Sequence, residues 1–403
     1  MKLGIIKERK TPPDRRVVFS PEKLTELQQK YPKTEVRVET SNIRIFPDKQ
    51  YREREIPVVE DLSDCDVLLG VKEVPIKALI PEKKYFFFSH TIKKQPYNRD
   101  LLRAVLEKNI QLYDHEVITD YTGHRLIGFG RYAGIVGAYN GFRALGLREG
   151  TFNLTKVENL SDYKAVVTEL QKVKLPKNYK IILTGGGKVA NGAKEILEHL
   201  NLKEVNLQDY LINTFDEPVF CQIEVLDYNK PKNKNKLPDK YDFYNNPEDY
   251  ESNFMRFAKV SDMFIAGHFY GDGAPKFFSR EDAKTPEFKI NLIADISCDI
   301  NGPVASTIKP STIAEPFYGY DPQTEKEVEF DAPGAITVMA VDNLPCELPK
   351  DASEGFGEMF LEHVIPAFYN DDKDGILNRA LMTFNGKLTP RYEYLQDFVD
   401  GKE

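Results

Sequence analysis

The chain has 403 residues, 41% hydrophobic and 29% charged, and at about 150 residues per domain it has room for two or three cores. Its 63 acidic and 55 basic side chains leave a net charge of −8, which argues against nucleic-acid binding. No apolar run approaches the roughly 18–20 residues that cross a bilayer. Four isolated cysteines, Cys65, Cys221, Cys298 and Cys346, form no CxxC pair, and MKLGIIKERK lacks the pattern of a secretory leader. These features predict a soluble cytoplasmic protein with no structural zinc.

Along the first 120 residues, Leu3–Ile6, Val36–Val38, Asp66–Leu69, Tyr85–Phe88 and Ile110–Tyr113 have strand length and strand composition. Val17–Phe19 is also strand-like. Pro21–Tyr31 reads as a helix with Ser20 as its cap, and Arg99–Lys108 as a second. Strands alternating with helices predict a parallel α/β sheet. Tyr132–Leu147 carries Ala133, Gly134, Gly137, Ala138 and Gly141, a helix face with almost no bulk. It suits either a connector between domains or an ordinary buried helix. Later strands are expected at Met263–Ala266, Leu292–Ile296 and Ile336–Val341. Asn229–Glu251, rich in Lys, Asn, Asp and Pro, is expected to be a solvated, partly mobile excursion. Ala352–Phe368 is expected to form one amphipathic helix, shortened or kinked by Pro366.

The sharpest local motif is IILTGGGKVANGA, residues 181–193. An apolar strand enters Gly185-x-Gly187-x-x-Ala190, and an apolar-periodic helix follows. Such a strand–turn–helix lets a backbone approach a pyrophosphate and offers it free N–H groups. Lys188 could add a phosphate contact. Asp209, 22 residues beyond Gly187, is the expected ribose ligand, although Asn206-Leu-Gln-Asp209 equally reads as a helix cap. NAD and NADP are both open.

A second group of residues follows the early strands. Lys72 comes directly after DVLLG, His90 after YFFF and Glu116 just beyond IQLY, while Arg16 precedes VVF. Parallel sheets bind ligands at carboxyl ends of strands, where a Lys and a His can divide acid and base roles. Arg16 could fork onto a substrate carboxylate. No histidine pair has metal-ligand spacing, and no metal site is expected.

The segments KERKTPPDRRVVFSP, Val71-Lys-Glu-Val-Pro75, Phe88-Ser-His-Thr-Ile-Lys93, LYDHE and Gly128-Phe-Gly-Arg-Tyr-Ala-Gly134 resemble the alanine dehydrogenase superfamily. So do Ile293–Asp299, Ala340–Pro345 and Leu348–Ser353. Within that superfamily the chain is more similar to the lysine-forming saccharopine dehydrogenases and lysine–ketoglutarate reductases. The resemblance implies an α/β fold of two Rossmann-like domains with parallel sheets around a central cleft. The substrate domain would comprise 1–131 plus 346–403, and the dinucleotide domain 132–345. It implies an NAD(P)-dependent enzyme, a monomer or homo-oligomer, that interconverts saccharopine with lysine and 2-oxoglutarate. Lys72 and His90 would be the acid–base pair. Arg16, Glu73, Lys93 and Glu116 would contact substrate, and Gly185, Gly187, Lys188, Ala190 and Asp209 the cofactor. Arg131 stands where relatives are often apolar. An alanine dehydrogenase, a related enzyme acting on another substrate, and a non-catalytic nucleotide binder remain open alternatives.

Overall fold

The computed structural model describes residues 1–271 and 273–402. They divide into two units: Met1–Phe129 together with the chain from Pro349 onward, and Gly130–Leu348.

The first unit is built on β1 (Lys2–Ile5), β2 (Glu35–Glu39), β3 (Val58–Val59), β4 (Val67–Leu69), β5 (Lys84–Phe87) and β6 (Gln111–Asp114). All are parallel, in the order β3-β2-β1-β4-β5-β6. The direction of winding reverses between β1 and β4, which opens a crevice beyond their carboxyl ends. Helix Pro21–Lys30 begins as its residues dictate. Ser20 accepts the Lys23 N–H, Pro21 occupies the first turn, and Leu24 and Leu27 are buried.

Val17–Phe19 is not a strand. Its three side chains are at most 2% exposed, but Val17 N–H donates to Ser353 Oγ at 3.0 Å and Phe19 O accepts from Tyr51 at 2.8 Å. Apolar content placed this run in the core without a ladder partner. The returning helix is interrupted by Pro366 as expected, though over more than its last turn. It runs as an α-helix over Pro349–Met359, loosens into a π-turn at Phe360–Val364 and ends as a 3₁₀ turn at Ile365–Phe368. Pro366 has no N–H to give, and its ring presses on the carbonyl four residues back. The ladder slips accordingly, so that Ile365 N–H bonds to Phe360 O. Phe356, Phe360 and Val364 still bury against residues of β1, β2 and β4.

In the second unit the order is β15-β14-β16-β13-β12-β7-β9-β8. These strands are β7 (Lys180–Thr184), β8 (Lys203–Glu204), β9 (Val219–Ile223), β12 (Met263–Ala266), β13 (Leu292–Asp295), β14 (Phe317–Asp321), β15 (Lys326–Val328) and β16 (Ile336–Met339). Six are parallel, and β14–β15 form an antiparallel hairpin at one edge. Strand β7 therefore lies between β12 and β9, with β8 outside β9.

Segment 229–251 is folded. Its ends, β10 (Asn229–Pro231) and β11 (Tyr250–Ser252), pair antiparallel, and helix Lys240–Asn245 lies between them. Phe243 and Tyr250 are buried in the unit's core. Two aromatic anchors compensate for the lack of aliphatics that suggested a solvated loop.

The small-residue helix, Gly130–Glu149, belongs wholly to the second unit. A Cβ on Gly134 would lie 1.9 Å from Val189 O, and one on Gly192 2.0 Å from Arg131 O. The bulk-free face lets this helix touch helix Lys188–His199 backbone to backbone. Arg131 clamps the same contact, with Nε and Nη2 each 2.7 Å from the Glu195 carboxylate.

Candidate functional site

In the first unit, the turns leaving β1, β4, β5 and β6 carry Glu8, Lys72, His90 and Glu116. The turn after β4 is pinned along its backbone. Gly70 N–H donates to Phe86 O at 2.9 Å, and Phe88 N–H donates to Val71 O at 3.0 Å. Glu8, 7% exposed, accepts the N–H groups of Val71 and Lys72 at 2.7 and 2.8 Å. Burial raises the Glu8 carboxyl, with Asp14 adding to the effect, and the two backbone bonds only partly offset this, leaving it at about 7. His115 lies beneath the turn, its Nε2 donating to Gly70 O at 2.9 Å. Burial takes its pKa down to about 3, so the ring is neutral, and Nδ1 finds no partner among the described residues.

His90 sits in a left-handed conformation (φ 53°) at the end of the β5 turn, a sparsely populated region for a non-glycine residue. Its Nδ1 lies 2.5 Å from Glu73 Oε1, and Lys10 Nζ lies 3.2 Å from Glu73 Oε2. Burial would raise Glu73, but the bond to His90, its own backbone N–H and the charges of His90 and Lys10 outweigh it and hold the carboxyl at about 2. An anion facing Nδ1 fixes the proton there and leaves Nε2 as the exchanging nitrogen. Phe88 stacks on the His90 ring and contacts Phe129, and the Arg16 guanidinium lies 4.3 Å from the Phe129 ring.

Arg16 differs from the sequence expectation of a fork open to a substrate carboxylate. Nε and Nη2 bond to the two Asp14 oxygens at 3.0 and 2.6 Å, and Arg16 is 2% exposed. Burying a guanidinium demands a partner, and Asp14, two residues away, supplies it. Glu116 Oε1 lies 3.7 Å from Lys93 Nζ and 3.6 Å from Arg125 Nη2, forming a second ion cluster. Asp114 links this cluster to His90. It accepts the Ser89 N–H at 3.0 Å and the Glu116 N–H at 2.7 Å, and it also bonds the Ser89 hydroxyl. Lys72, Glu73 and His90 thus gather on adjacent turns, while Arg16, Lys93 and Glu116 join through intermediaries. Glu8, Asp14, Asp114 and His115 were not singled out by sequence. The position of Glu8, just past a strand end, was the available signal.

In the second unit, Gly185 (φ 100°) turns sharply after β7, and Gly187 caps helix Lys188–His199. A Cβ on Gly185 would lie 2.7 Å from Gly267 O, whereas one on Gly187 would meet nothing within 4 Å. Ala190 packs against Gly267, whose own Cβ would come 3.0 Å from Ala190 Cα. Small residues on both sides keep that approach close. Gly187 and the first turn of the helix therefore present bare backbone, a fit for a pyrophosphate. Lys188 opens that helix.

Asp209 lies elsewhere. It occupies the first turn of helix Leu207–Ile212, its N–H bonded to Asn206 Oδ1 at 2.9 Å and its carboxylate held by Asn206 and Asn213. Of the two sequence readings, the cap is the one seen. The carboxylate beside the glycine turn is Glu224, directly after β9, where a Cβ on Gly186 would lie 2.8 Å from Glu224 Oε1. His268 follows β12, with Nδ1 3.1 Å from Thr184 Oγ1 and Nε2 without a partner among the described residues. Burial lowers its pKa to about 3.

Residues 4–136 match the family described as alanine dehydrogenase/PNT, N-terminal domain. An L-alanine dehydrogenase structure superposes with a TM-score of 0.66 at 17% identity, covering 99% of this chain and 100% of that one. Residues 4–136 are thus similar to that family's N-terminal domain, and the whole chain shares the fold of the L-alanine dehydrogenase structure. A transhydrogenase from Sinorhizobium meliloti superposes at a TM-score of 0.59 and 14% identity, covering 96% of this chain and 99% of that one. In sequence, the Mus musculus mitochondrial alpha-aminoadipic semialdehyde synthase is 28% identical across 91% of this chain and 45% of that protein. The Yarrowia lipolytica saccharopine dehydrogenase [NAD(+), L-lysine-forming] is 26% identical across 82% of this chain and 83% of that protein. The chain spans less than half the length of the semialdehyde synthases it matches. Among the described residues, no helix is long and apolar enough to cross a membrane, and no group of His, Cys, Asp and Glu is arranged to hold a metal ion.

Proposed function

We propose that the chain is an NAD(P)-dependent dehydrogenase of the saccharopine type, interconverting saccharopine with lysine and 2-oxoglutarate. The observation that carries this reading is the Glu73–His90 pair on the turn next to Lys72, at the switch point of the first sheet. Joining an amine to a keto acid requires protons to leave the amine and enter the departing water. Lys72 takes the amine proton, and His90, through Nε2, serves the carbinolamine and water steps. Glu73 stays anionic and stabilises the imidazolium that forms. With Arg16 engaged by Asp14, the substrate carboxylates fall to the more exposed cations Lys10, Lys93 and Arg125, which are 41%, 55% and 48% exposed.

A nicotinamide dinucleotide supplies the hydride when bound. Gly185, Gly187, Lys188 and Ala190 line its pyrophosphate, and Glu224 rather than Asp209 accepts the adenine-ribose hydroxyls. The relatives' names support this reading: one is a saccharopine dehydrogenase named for NAD(+). The test is oxidation of NADH or NADPH with lysine plus 2-oxoglutarate, run beside pyruvate plus ammonia. Turnover in the first mixture, abolished in Lys72→Met, is expected. Turnover only with pyruvate and ammonia reassigns the chain as an alanine dehydrogenase. If Lys72→Met retains full activity, the assigned base is wrong.

A further inference from the structure

The folded excursion 229–251 places one cation at the edge of the nucleotide turn. Lys230 pairs with Glu251 at 3.2 Å and Lys236 with Asp242 at 2.7 Å, both within the excursion. Lys240 instead reaches out to Glu224 Oε2 at 3.0 Å. Its helix is held behind Asp239, which accepts the Asp242 N–H at 2.7 Å, and by the buried Phe243. Glu224 is also fixed from its own side by a reciprocal capping pair with Asp227. The parallel register Thr184↔Ile223 sets Glu224 level with Gly185. A carboxylate and an ammonium therefore stand together beside the turn, both more than half exposed.

We propose that Lys240 is the ligand for the 2′-phosphate of NADP(H), so that the Glu224–Lys240 pair lets one pocket accept both cofactors. This rests on the nucleotide reading given above. With NAD(H), Glu224 accepts the ribose hydroxyls and keeps Lys240 as its partner. With NADP(H), a phosphate arriving next to Glu224 alone would be repelled. Lys240 exchanges the carboxylate for the phosphate and partly neutralises it, while Glu224, more than half exposed, is left to solvent. A lone acidic residue at this strand end selects NAD, and a nearby cation accommodates NADP; this chain has both.

The test is equilibrium binding of NADH, NADPH, AMP and 2′,5′-ADP to the full chain, the last two requiring no nicotinamide contact. Wild-type protein is expected to bind NADH and NADPH within about tenfold of each other. Lys240→Ala should weaken NADPH and 2′,5′-ADP about tenfold, the scale of one charge-assisted contact, and leave NADH and AMP within about twofold. Glu224→Gln should do the reverse. An exposed ion pair contributes little to stability, so both variants should melt within a few degrees of wild type. The proposal is overturned if Lys240→Ala leaves 2′,5′-ADP binding unchanged, or if wild type rejects NADPH by more than about a hundredfold. If none of the four probes binds, the nucleotide reading itself falls.

Discussion

Gly134→Ala offers a direct test of the backbone contact in the second unit. The added methyl would lie 1.9 Å from Val189 O and 2.6 Å from Ala193 N. A carbon needs about 3.3 Å from a carbonyl oxygen, so the two helices must part by roughly 1.4 Å, because backbone atoms cannot rotate away. Overpacking of this kind costs about 1–3 kcal/mol, and two backbone clashes in a contact clamped by Arg131 point to the upper end. For a unit spanning 130–348, about 3 kcal/mol corresponds to a fall in melting temperature of roughly 6–12 °C. Gly187→Ala is the matched control. Its φ is −88° and nothing lies within 4 Å of the new methyl, so stability should hold to within about 0.5 kcal/mol. The same methyl enters the space assigned to the pyrophosphate, and NADH affinity should fall about tenfold or more. Scanning calorimetry and fluorescence titration on the two variants separate packing from binding. A Gly134→Ala protein that melts like wild type would refute the packing argument, and a Gly187→Ala protein that binds NADH normally would refute the placement of the nucleotide.

Glu8→Gln should alter how stability depends on pH. A carboxyl raised from 4.5 to about 7 gives a difference of 7 − 4.5 = 2.5, or about 3 kcal/mol. Because the folded state holds the proton more tightly, wild type is favoured below 4.5 and loses that advantage as pH rises through about 7. Urea unfolding from pH 4.5 to 8 should therefore show the wild-type advantage over the variant shrinking by about that amount, and a constant gap would contradict the assigned burial effect. Glu73→Gln removes the anion facing His90 Nδ1; kcat with lysine and 2-oxoglutarate is expected to fall about 10²-fold or more, and undiminished turnover would remove His90 from proton transfer. Ser353→Ala leaves the buried Val17 N–H unpaired, costing about 1–3 kcal/mol, which thermal melting of the variant would register as a drop of several degrees.

Most strands of both sheets were visible in sequence because parallel strands buried on both faces read as short continuous apolar runs. The same signal misfired at Val17–Phe19, where burial occurs without a ladder, and it could not foresee the antiparallel edge of the second sheet. The placement of Lys72, His90 and Glu116 just beyond β4, β5 and β6 was readable from the apolar runs that precede them. What sits under their turns was not, since the Glu8 bonds to Val71 and Lys72 span more than 60 residues. Asp209 was chosen by counting residues from the glycine turn. Counting fails here because β8 and helix Leu207–Ile212 intervene before β9, and the strand that neighbours β7 decides which carboxylate meets the turn. Arg16 shows a different limit: its residue type suits a carboxylate, but only the fold reveals that the carboxylate is its own Asp14.

The interrupted course of the first unit has a consequence for biosynthesis. Phe356, Phe360 and Val364 lie in the same core as β1, β2 and β4, yet they emerge after the 219 residues of Gly130–Leu348 have been made. At roughly 5–20 residues per second, the ribosome delivers them about 10–45 s after Phe129. During that interval the early half is an unsealed nucleus while the later half can finish, so the order of maturation runs opposite to the order of translation. Stalling or truncation within the middle stretch would leave the nascent amino-terminal portion dependent on chaperones for its solubility.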